Sequence, residues 1–180
     1  MLPREILILE YILLVGIHGA GKTTLLDNLK DDINITALSI SDLIRQAGNQ
    51  IQSNDKFTKN IANNQELWKQ ELVCHSFQEG ELVILDGHFT LLDSLGQIVE
   101  LPYSTFDGLK ITGIILKLED PYTIQKRLMK RDDNHWDTDL ISNFQEKEKM
   151  RVNEFSQLKH IPLFIYDNDS KLNELKDFLS

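Results

Sequence analysis

The feature that most constrains the fold is a glycine-rich motif of eight residues near the start of the chain. Residues 16–23 read GIHGAGKT, which matches the phosphate-binding pattern G-x-x-x-x-G-K-[ST]. The apolar run 12–15 before it predicts a buried strand, and residues 24–29 predict the start of a helix. A glycine-rich turn in that context lets backbone N–H groups and the helix dipole face phosphates. The motif therefore predicts a nucleoside triphosphate site.

The side chains of the motif have separate expected roles. The Lys22 ammonium can reach the outer phosphates, and the Thr23 hydroxyl can ligate Mg²⁺. The expected ligands are accordingly ATP and Mg²⁺. Contacts with the triphosphate are expected from Gly16, Gly19, Ala20, Gly21, Lys22, Thr23 and Thr24.

A carboxylate follows a second strongly apolar run. Residues 82–85 read LVIL and predict a buried strand, and Asp86 comes directly after it. Because α/β folds bind ligands beyond the carboxyl ends of their strands, Asp86 can help Thr23 to hold Mg²⁺. The alternative is that Asp86 caps a local turn with Gly87.

Composition limits the domain organisation and the possible partners. A chain of 180 residues predicts one domain over 1–180, and a formal net charge of −9 argues against an extended nucleic-acid surface. The single cysteine, Cys74, excludes an intramolecular disulfide, and we expect it to be buried in a helix. The apolar stretch 6–17 contains Glu10 and is too short to span a bilayer, so we expect a cytoplasmic protein without membrane contact.

Short apolar runs alternate with amphipathic stretches along the rest of the chain. This alternation predicts a central parallel sheet with helices on both faces. The later strands are predicted at about 35–40, 82–85, 111–118 and 162–166, and the helices at 41–46, 65–79, 121–131, 138–158 and from 170 onwards. A polar connection is expected over 53–64. Two apolar pieces around residues 93–96 (DSLG) predict a β-hairpin inserted at about 89–101.

The order of these motifs resembles that of nucleoside monophosphate kinases. Residues 41–45 (SDLIR) are similar to the adenylate kinase segment whose arginine binds the acceptor phosphate. Residues 86–88 (DGH) are similar to the Asp-x-His form of the archaeal-type relatives, and residues 120–132 resemble the helix that leads into the lid. The resemblance implies a three-layer P-loop NTPase fold, with an acceptor-binding segment at about 41–79 and a short lid at about 127–138.

The resemblance also implies roles for individual side chains. It assigns a catalytic phosphoryl clamp to Arg127 and Arg131, and acceptor binding to Asp42, Arg45, His88 and Arg151. Independently of the family, Arg127 and Arg131 are four residues apart and can converge on one side of a helix. Phosphoryl transfer needs such positive potential around the equatorial oxygens of the transferred group.

Each of these side chains also has a structural alternative. The acidic pair 132–133 could neutralise the two lid arginines on a solvated helix end. Arg151 could pair with Glu148, and Arg45 could be an ordinary exposed helical residue. His88 could be a hydrogen-bonded structural histidine.

Together these features predict Mg²⁺-dependent phosphoryl transfer from ATP to a small-molecule acceptor, most simply a nucleoside monophosphate. Two alternatives stay open. One is a kinase that acts on a nucleoside or another small hydroxyl compound. The other is a regulatory ATPase switch that acts on a protein partner and uses the predicted hairpin as its docking surface.

Overall fold

A central sheet of five parallel strands organises the protein, in the order β2-β3-β1-β6-β7. The computed structural model describes residues 9–46, 68–132 and 135–180. The strands are β1 (Glu10–Val15), β2 (Ile35–Ser39), β3 (Leu82–Gly87), β6 (Lys110–Lys117) and β7 (Leu163–Tyr166). The shorter strands β4 (Thr90–Leu92) and β5 (Ile98–Glu100) form a separate antiparallel pair.

Helices cover both faces of this sheet. They are α1 (Lys22–Lys30), α2 (Ile40–Gln46), α3 at 68–73, α4 (Pro121–Asp132), α5 (Thr138–Lys159) and α6 (Leu172–Leu179). In β1, Leu13 and Val15 pack into a cluster with α2, α3 and α5, whereas Ile12 and Leu14 pack into a cluster with α1 and α6. This alternation of side chains between two apolar layers confirms the predicted three-layer α/β fold.

A third apolar cluster lies at the carboxyl edge of the sheet. Ile17 and Ala20 from the phosphate-binding loop pack with Ile124 and Leu128 of α4, together with residues of α5 and Leu92 of the hairpin. The start of α4 is capped by Asp120, whose carboxylate accepts the N–H of Thr123 at 2.9 Å. The base of α4 is therefore packed directly on the loop that precedes α1.

The predicted inserted hairpin is confirmed. Thr90 pairs with Glu100 and Leu92 with Ile98, in antiparallel register. The turn between the strands is closed by Asp93, whose Oδ1 accepts the backbone N–H groups of Leu95 and Gln97, each at 2.8 Å.

Some element boundaries differ from the sequence predictions. The helix expected to reach residue 79 ends at 73, since the N–H groups of Cys74 and His75 bond three residues back and Phe77 then packs on the core. Cys74 is consequently exposed rather than buried. Helix α2 starts at Ile40, and Ser39 rather than a residue within the helix accepts the N–H of Asp42.

Several predictions fall on residues outside the described ranges. These are the polar connection at 53–64, the start of the helix at 65–67, the middle of the acceptor-binding segment at 47–67 and residues 133–134 of the lid.

Candidate active site

A cavity of about 440 Å³ opens at the carboxyl edge of the sheet, where the phosphate-binding loop, α2, the end of β3 and α4 meet. The parallel register explains the meeting point, because Leu14 of β1 lies beside Asp86 of β3 and Asp86 lies beside Ser39 of β2. Eleven predicted site residues line the cavity: Gly19, Gly21, Lys22, Thr23, Thr24, Asp42, Arg45, Asp86, His88, Arg127 and Arg131.

The loop needs glycine at two positions that the motif specifies. Gly16 has a φ of 148°, and a Cβ placed there would lie 2.5 Å from the backbone oxygen of Lys117. Gly21 has a φ of 91°, and its Cβ would lie 3.1 Å from Nη1 of Arg127. Side chains at these positions would strain the backbone or displace its neighbours. The conformation of the loop therefore requires glycine at both positions.

Lys22 is a nearly buried cation that contacts both the phosphate loop and Asp86. Its side chain is only 8% exposed, and its Nζ donates to the backbone oxygen of Gly16 at 2.5 Å. The same Nζ lies 3.5 Å from Oδ1 of Asp86. The ammonium is thus held between the phosphate loop and the end of β3, where it faces the cavity.

Thr23 and Asp86 provide the oxygen ligands that Mg²⁺ prefers. Both line the cavity, and Thr23 lies exposed in the first turn of α1. Burial raises the pKa of Asp86, and the nearby Lys22 ammonium opposes that rise. Within the described ranges, no three or more His, Cys, Asp or Glu side chains cluster so as to hold a metal ion. A hydroxyl and one carboxylate nevertheless fit Mg²⁺ that is shared with phosphate oxygens and water.

His88 is bonded to the phosphate loop. Its Nδ1 lies 2.9 Å from the backbone oxygen of Gly16 and 3.5 Å from Nζ of Lys22. The shorter contact is with a carbonyl, which can only accept, so we assign the proton to Nδ1. Burial lowers the pKa of His88 well below its usual value, and the positive charge of Lys22 lowers it further. In the neutral ring Nε2 is then an acceptor. His88 therefore combines a structural hydrogen bond with a place in the cavity wall.

The α2 side of the cavity carries an exposed ion pair. Arg45 pairs with Asp42, and their side chains are 61% and 53% exposed. Helix α2 approaches β3 closely, since a Cβ on Gly87 would lie 2.7 Å from Cδ1 of Ile40. This close approach places Asp42 and Arg45 in the same cavity wall as Asp86.

The two arginines of α4 have different partners. Arg127 donates to the backbone oxygen of Gly19 at 3.0 Å and pairs with Glu119 at 3.1 Å. Arg131 pairs with Asp132 through its Nε at 3.1 Å, which is the neutralisation that the acidic residue next to it suggests. No motif or spacing in the sequence predicts Glu119 as the partner of Arg127.

Arg151 does not line this cavity, contrary to the acceptor-binding role that the resemblance implies. Its guanidinium stacks 3.8 Å from the ring centroid of Tyr103, donates to the backbone oxygen of Leu101 at 2.7 Å and pairs with Glu100 and Glu154. Helix α5 directs this side chain towards the base of the hairpin. The alternative pairing with Glu148 is also wrong.

Sequence reasoning missed two polar side chains on the inner face of α5. The Gln145 amide bonds to the main chain of Glu119 in both directions, at 3.0 and 2.8 Å. Glu148 is completely buried and accepts the N–H of Phe89 at 2.9 Å. A signal was present for Glu148, because it occupies the apolar stripe of α5 between Phe144 and Val152.

Comparison with known proteins identifies the family of the chain. Residues 15–145 match the family model described as an AAA domain, and no curated protein matches the chain. No helix within the described ranges has the length and apolar character needed to cross a membrane. The family match includes the phosphate loop, Asp86 and both arginines of α4, and it extends over more than half of the chain. The chain therefore belongs to the AAA-domain family of P-loop nucleotide-binding proteins.

Proposed function

We propose that the protein transfers the γ-phosphoryl group of ATP to a small acceptor in an Mg²⁺-dependent reaction, with a nucleoside monophosphate as the first candidate. The proposal is carried by the convergence of a phosphate-binding loop, a carboxylate and three arginines on one cavity. Phosphoryl transfer requires mainly positioning and positive potential, and these groups provide both.

The donor side is assigned to the phosphate loop and the end of β3. The loop amides and Lys22 bind the phosphates of ATP, and Thr23 and Asp86 are the residues that would hold Mg²⁺. The metal, when bound, neutralises charge on the phosphate oxygens. On binding ATP, the Lys22 ammonium exchanges part of its contact with the Gly16 oxygen for phosphate oxygens.

The acceptor side is assigned to α2. Within the described ranges, the partner of Arg45 is Asp42 in an exposed ion pair, and exposed ion pairs contribute little to stability. An acceptor phosphate can therefore displace Asp42 and bind the guanidinium bidentately. Such an exchange favours an acceptor that presents a phosphate on this side of the cavity.

The transfer itself is assigned to the arginines of α4. Arg127 contacts the phosphate loop through the backbone oxygen of Gly19, and this contact supports a role for its guanidinium beside the donor phosphates. Arg131 lies one turn further along α4 and lines the same cavity. Charge that develops on the transferred group is stabilised when these side chains exchange their carboxylate partners for it.

A second acceptor class has one observation in its favour. The Nδ1 of the neutral His88 ring is assigned the proton and faces Gly16, so Nε2 is a hydrogen-bond acceptor, and His88 lines the cavity. A hydrogen-bond acceptor in the cavity wall suits a substrate that presents a hydroxyl group. A nucleoside or another small hydroxyl compound is therefore the alternative phosphoryl acceptor.

The test is incubation of the purified protein with ATP and Mg²⁺ against matched panels of nucleoside monophosphates and nucleosides. Rapid ADP formation that requires a monophosphate, and that Lys22→Ala abolishes, supports the proposal. Turnover that requires a nucleoside instead supports the second acceptor class. Slow hydrolysis that is indifferent to every acceptor contradicts both and supports a regulatory ATPase.

A further inference from the structure

Helix α5 carries a buried carboxylate, that of Glu148, whose hydrogen-bond donors are uncharged groups. Glu148 is 0% exposed, and no salt bridge to it is found within the described ranges. Its partners are instead neutral donors. Oε1 and Oε2 accept the backbone N–H of Phe89 at 2.9 and 3.1 Å, and Oε2 accepts the Thr90 hydroxyl at 2.5 Å. Burying a carboxylate is costly unless such bonds compensate it, so the position calls for a reason.

The bonds of Glu148 are made at a functional turn. Phe89 directly follows His88, whose ring bonds to Gly16, and Asp86 lies two residues before His88. The chain leaves the parallel sheet at this point and enters the hairpin through Thr90. Glu148 thus binds the first backbone amide and the first hydroxyl after the segment that lines the cavity.

The same helix holds a second segment, which contacts an arginine of the cavity wall. Gln145, three residues before Glu148, bonds in both directions to the main chain of Glu119. Glu119 in turn pairs with Arg127, which contacts Gly19. Two neighbouring polar side chains on the inner face of α5 therefore fix the connection after β6 and the turn after β3.

We propose that Glu148 is a positioning residue for phosphoryl transfer, which holds the Asp86–His88 segment against the phosphate loop by binding Phe89 N–H and the Thr90 hydroxyl. The kinetic part of this inference rests on the proposed function. The structural part, which is the placement of the His88 ring on Gly16, does not.

A carboxylate suits this role better than the isosteric amide. Both partners are donors, and a carboxylate accepts from each without presenting a donor of its own. Burial raises the pKa of Glu148, while the bonds from Thr90 and Phe89 and the positive charge of Lys22 favour the ionised form. A glutamine keeps only one accepting oxygen. If that oxygen binds Phe89 N–H, the Thr90 hydroxyl must reverse and accept from the NH₂ group, so the charge-assisted bond from Thr90 is lost and the turn is held more weakly.

The primary experiment compares Glu148→Gln with the matched control Glu146→Gln, an exposed glutamate on the same helix. Steady-state kinetics with ATP and the acceptor should give a kcat for Glu148→Gln lower by about tenfold to a hundredfold, as expected for a small displacement at the reacting centre. The KM for ATP should stay within about threefold, because the loop itself is intact. Glu146→Gln should match the wild type. A kcat for Glu148→Gln within about twofold of that control overturns the proposal.

A second pair of variants covers the case in which Glu148→Gln does not fold. Thr90→Val removes the hydroxyl donor with nearly the same volume, and Thr90→Ser restores it. We expect kcat to fall in Thr90→Val and to return to within about twofold of wild type in Thr90→Ser. An equal loss in both variants would show that the hydroxyl contact is irrelevant, which overturns the proposal.

A readout without turnover separates this proposal from the proposed function. In ¹⁵N-labelled protein, the ring N–H of His88, assigned by its loss in His88→Gln, reports the bond to Gly16. This signal should shift or exchange faster in Glu148→Gln and stay unchanged in Glu146→Gln. If the wild type transfers no phosphoryl group and this signal still responds, the proposed function fails while the positioning role stands. An unchanged signal overturns the positioning role.

Discussion

The two sides of the cavity are built in different ways. On the phosphate-loop side, Lys22 is 8% exposed and is held by both Gly16 and Asp86. On the arginine side, Arg45 and Arg131 are 61% and 51% exposed, and the carboxylate of each pair comes from the same short stretch of helix. The phosphate-loop side is fixed by contacts between distant parts of the chain. Arg45 and Arg131 are held by local surface pairs, whereas Arg127 reaches back to Gly19 of the loop.

This difference predicts that the two sides respond differently when a ligand binds. Buried contacts made by several elements are preorganised and cost nothing to assemble when a ligand arrives. Exposed ion pairs exchange partners easily, because solvent screens them and their net contribution to stability is small. Under the proposed function, we expect the phosphate-loop side to change little on ligand binding and Arg45 and Arg131 to exchange their carboxylate partners for the ligand.

The largest expected effect comes from metal removal, which tests the fixed side. Activity should vanish in excess chelator and return with added Mg²⁺, because Thr23 and Asp86 are expected to hold that ion. Asp86→Asn should raise the Mg²⁺ concentration that activity requires, because it weakens metal binding. It should affect the binding of metal-free nucleotide much less. Titrations of activity and of nucleotide fluorescence against Mg²⁺ measure the two effects. Full turnover in chelator would show that the fixed side does not organise a metal.

The next effect concerns Lys22. Lys22→Ala should lower kcat by about a hundredfold or more, on the order of 3 kcal/mol in activation free energy, since it removes the charge that faces the outer phosphates. The matched control is Lys30→Ala, an exposed lysine at the end of the same helix. ADP formation measures the loss, and thermal unfolding verifies the fold. Activity close to that of the control would remove Lys22 from the mechanism.

The arginine side should divide into two kinetic classes, and Arg131 gives the larger effect. Arg131→Ala should depress kcat by about a hundredfold, somewhat below the range for an arginine that stabilises the transferred phosphoryl group. Lys130→Ala, the exposed neighbouring cation on α4, is the control and should be near normal. If both variants lose activity equally, general positive charge on α4 matters rather than this side chain.

Arg45 should give the smallest effect, and one confined to binding. Arg45→Ala should raise the KM for the acceptor by about tenfold and leave the KM for ATP and kcat nearly unchanged, as expected for a contact made equally in ground and transition states. Gln46→Ala, an exposed neighbour on α2, serves as control. An unchanged acceptor KM would mean that no acceptor phosphate binds there, and the nucleoside alternative would replace the monophosphate.

The contrast between the two sides also explains what the sequence predicted well. The phosphate loop is a continuous motif, so the spacing of its glycines and Lys22 is enough to predict their roles. The parallel sheet is predicted by the alternation of apolar runs with amphipathic stretches. The hairpin followed from its turn residues, since Asp93 closes the loop locally. Each of these features depends on residues that are close together in the chain.

Features that depend on distant contacts could not be read from the sequence. Glu148 and Phe89 are 59 positions apart, and only the packing of α5 makes them neighbours. The same packing turns Arg151 to Tyr103 rather than to the cavity. The early end of α3 likewise follows from the contact of Phe77 with the core, which overrides the helical pattern.

The apolar cluster beneath the phosphate loop has a consequence for how this protein opens. Ile124 and Leu128 are buried against Ile17 and Ala20, so the first turns of α4 cannot detach without exposing the underside of the loop. We therefore expect the loop and the helix base to open as one cooperative unit, whose amides exchange with solvent together. The last turn of α4, which carries the exposed Arg131, is expected to open at a lower free energy. Nucleotide binding to the loop is thus expected to slow exchange along the base of α4, without any contact between the ligand and those amides.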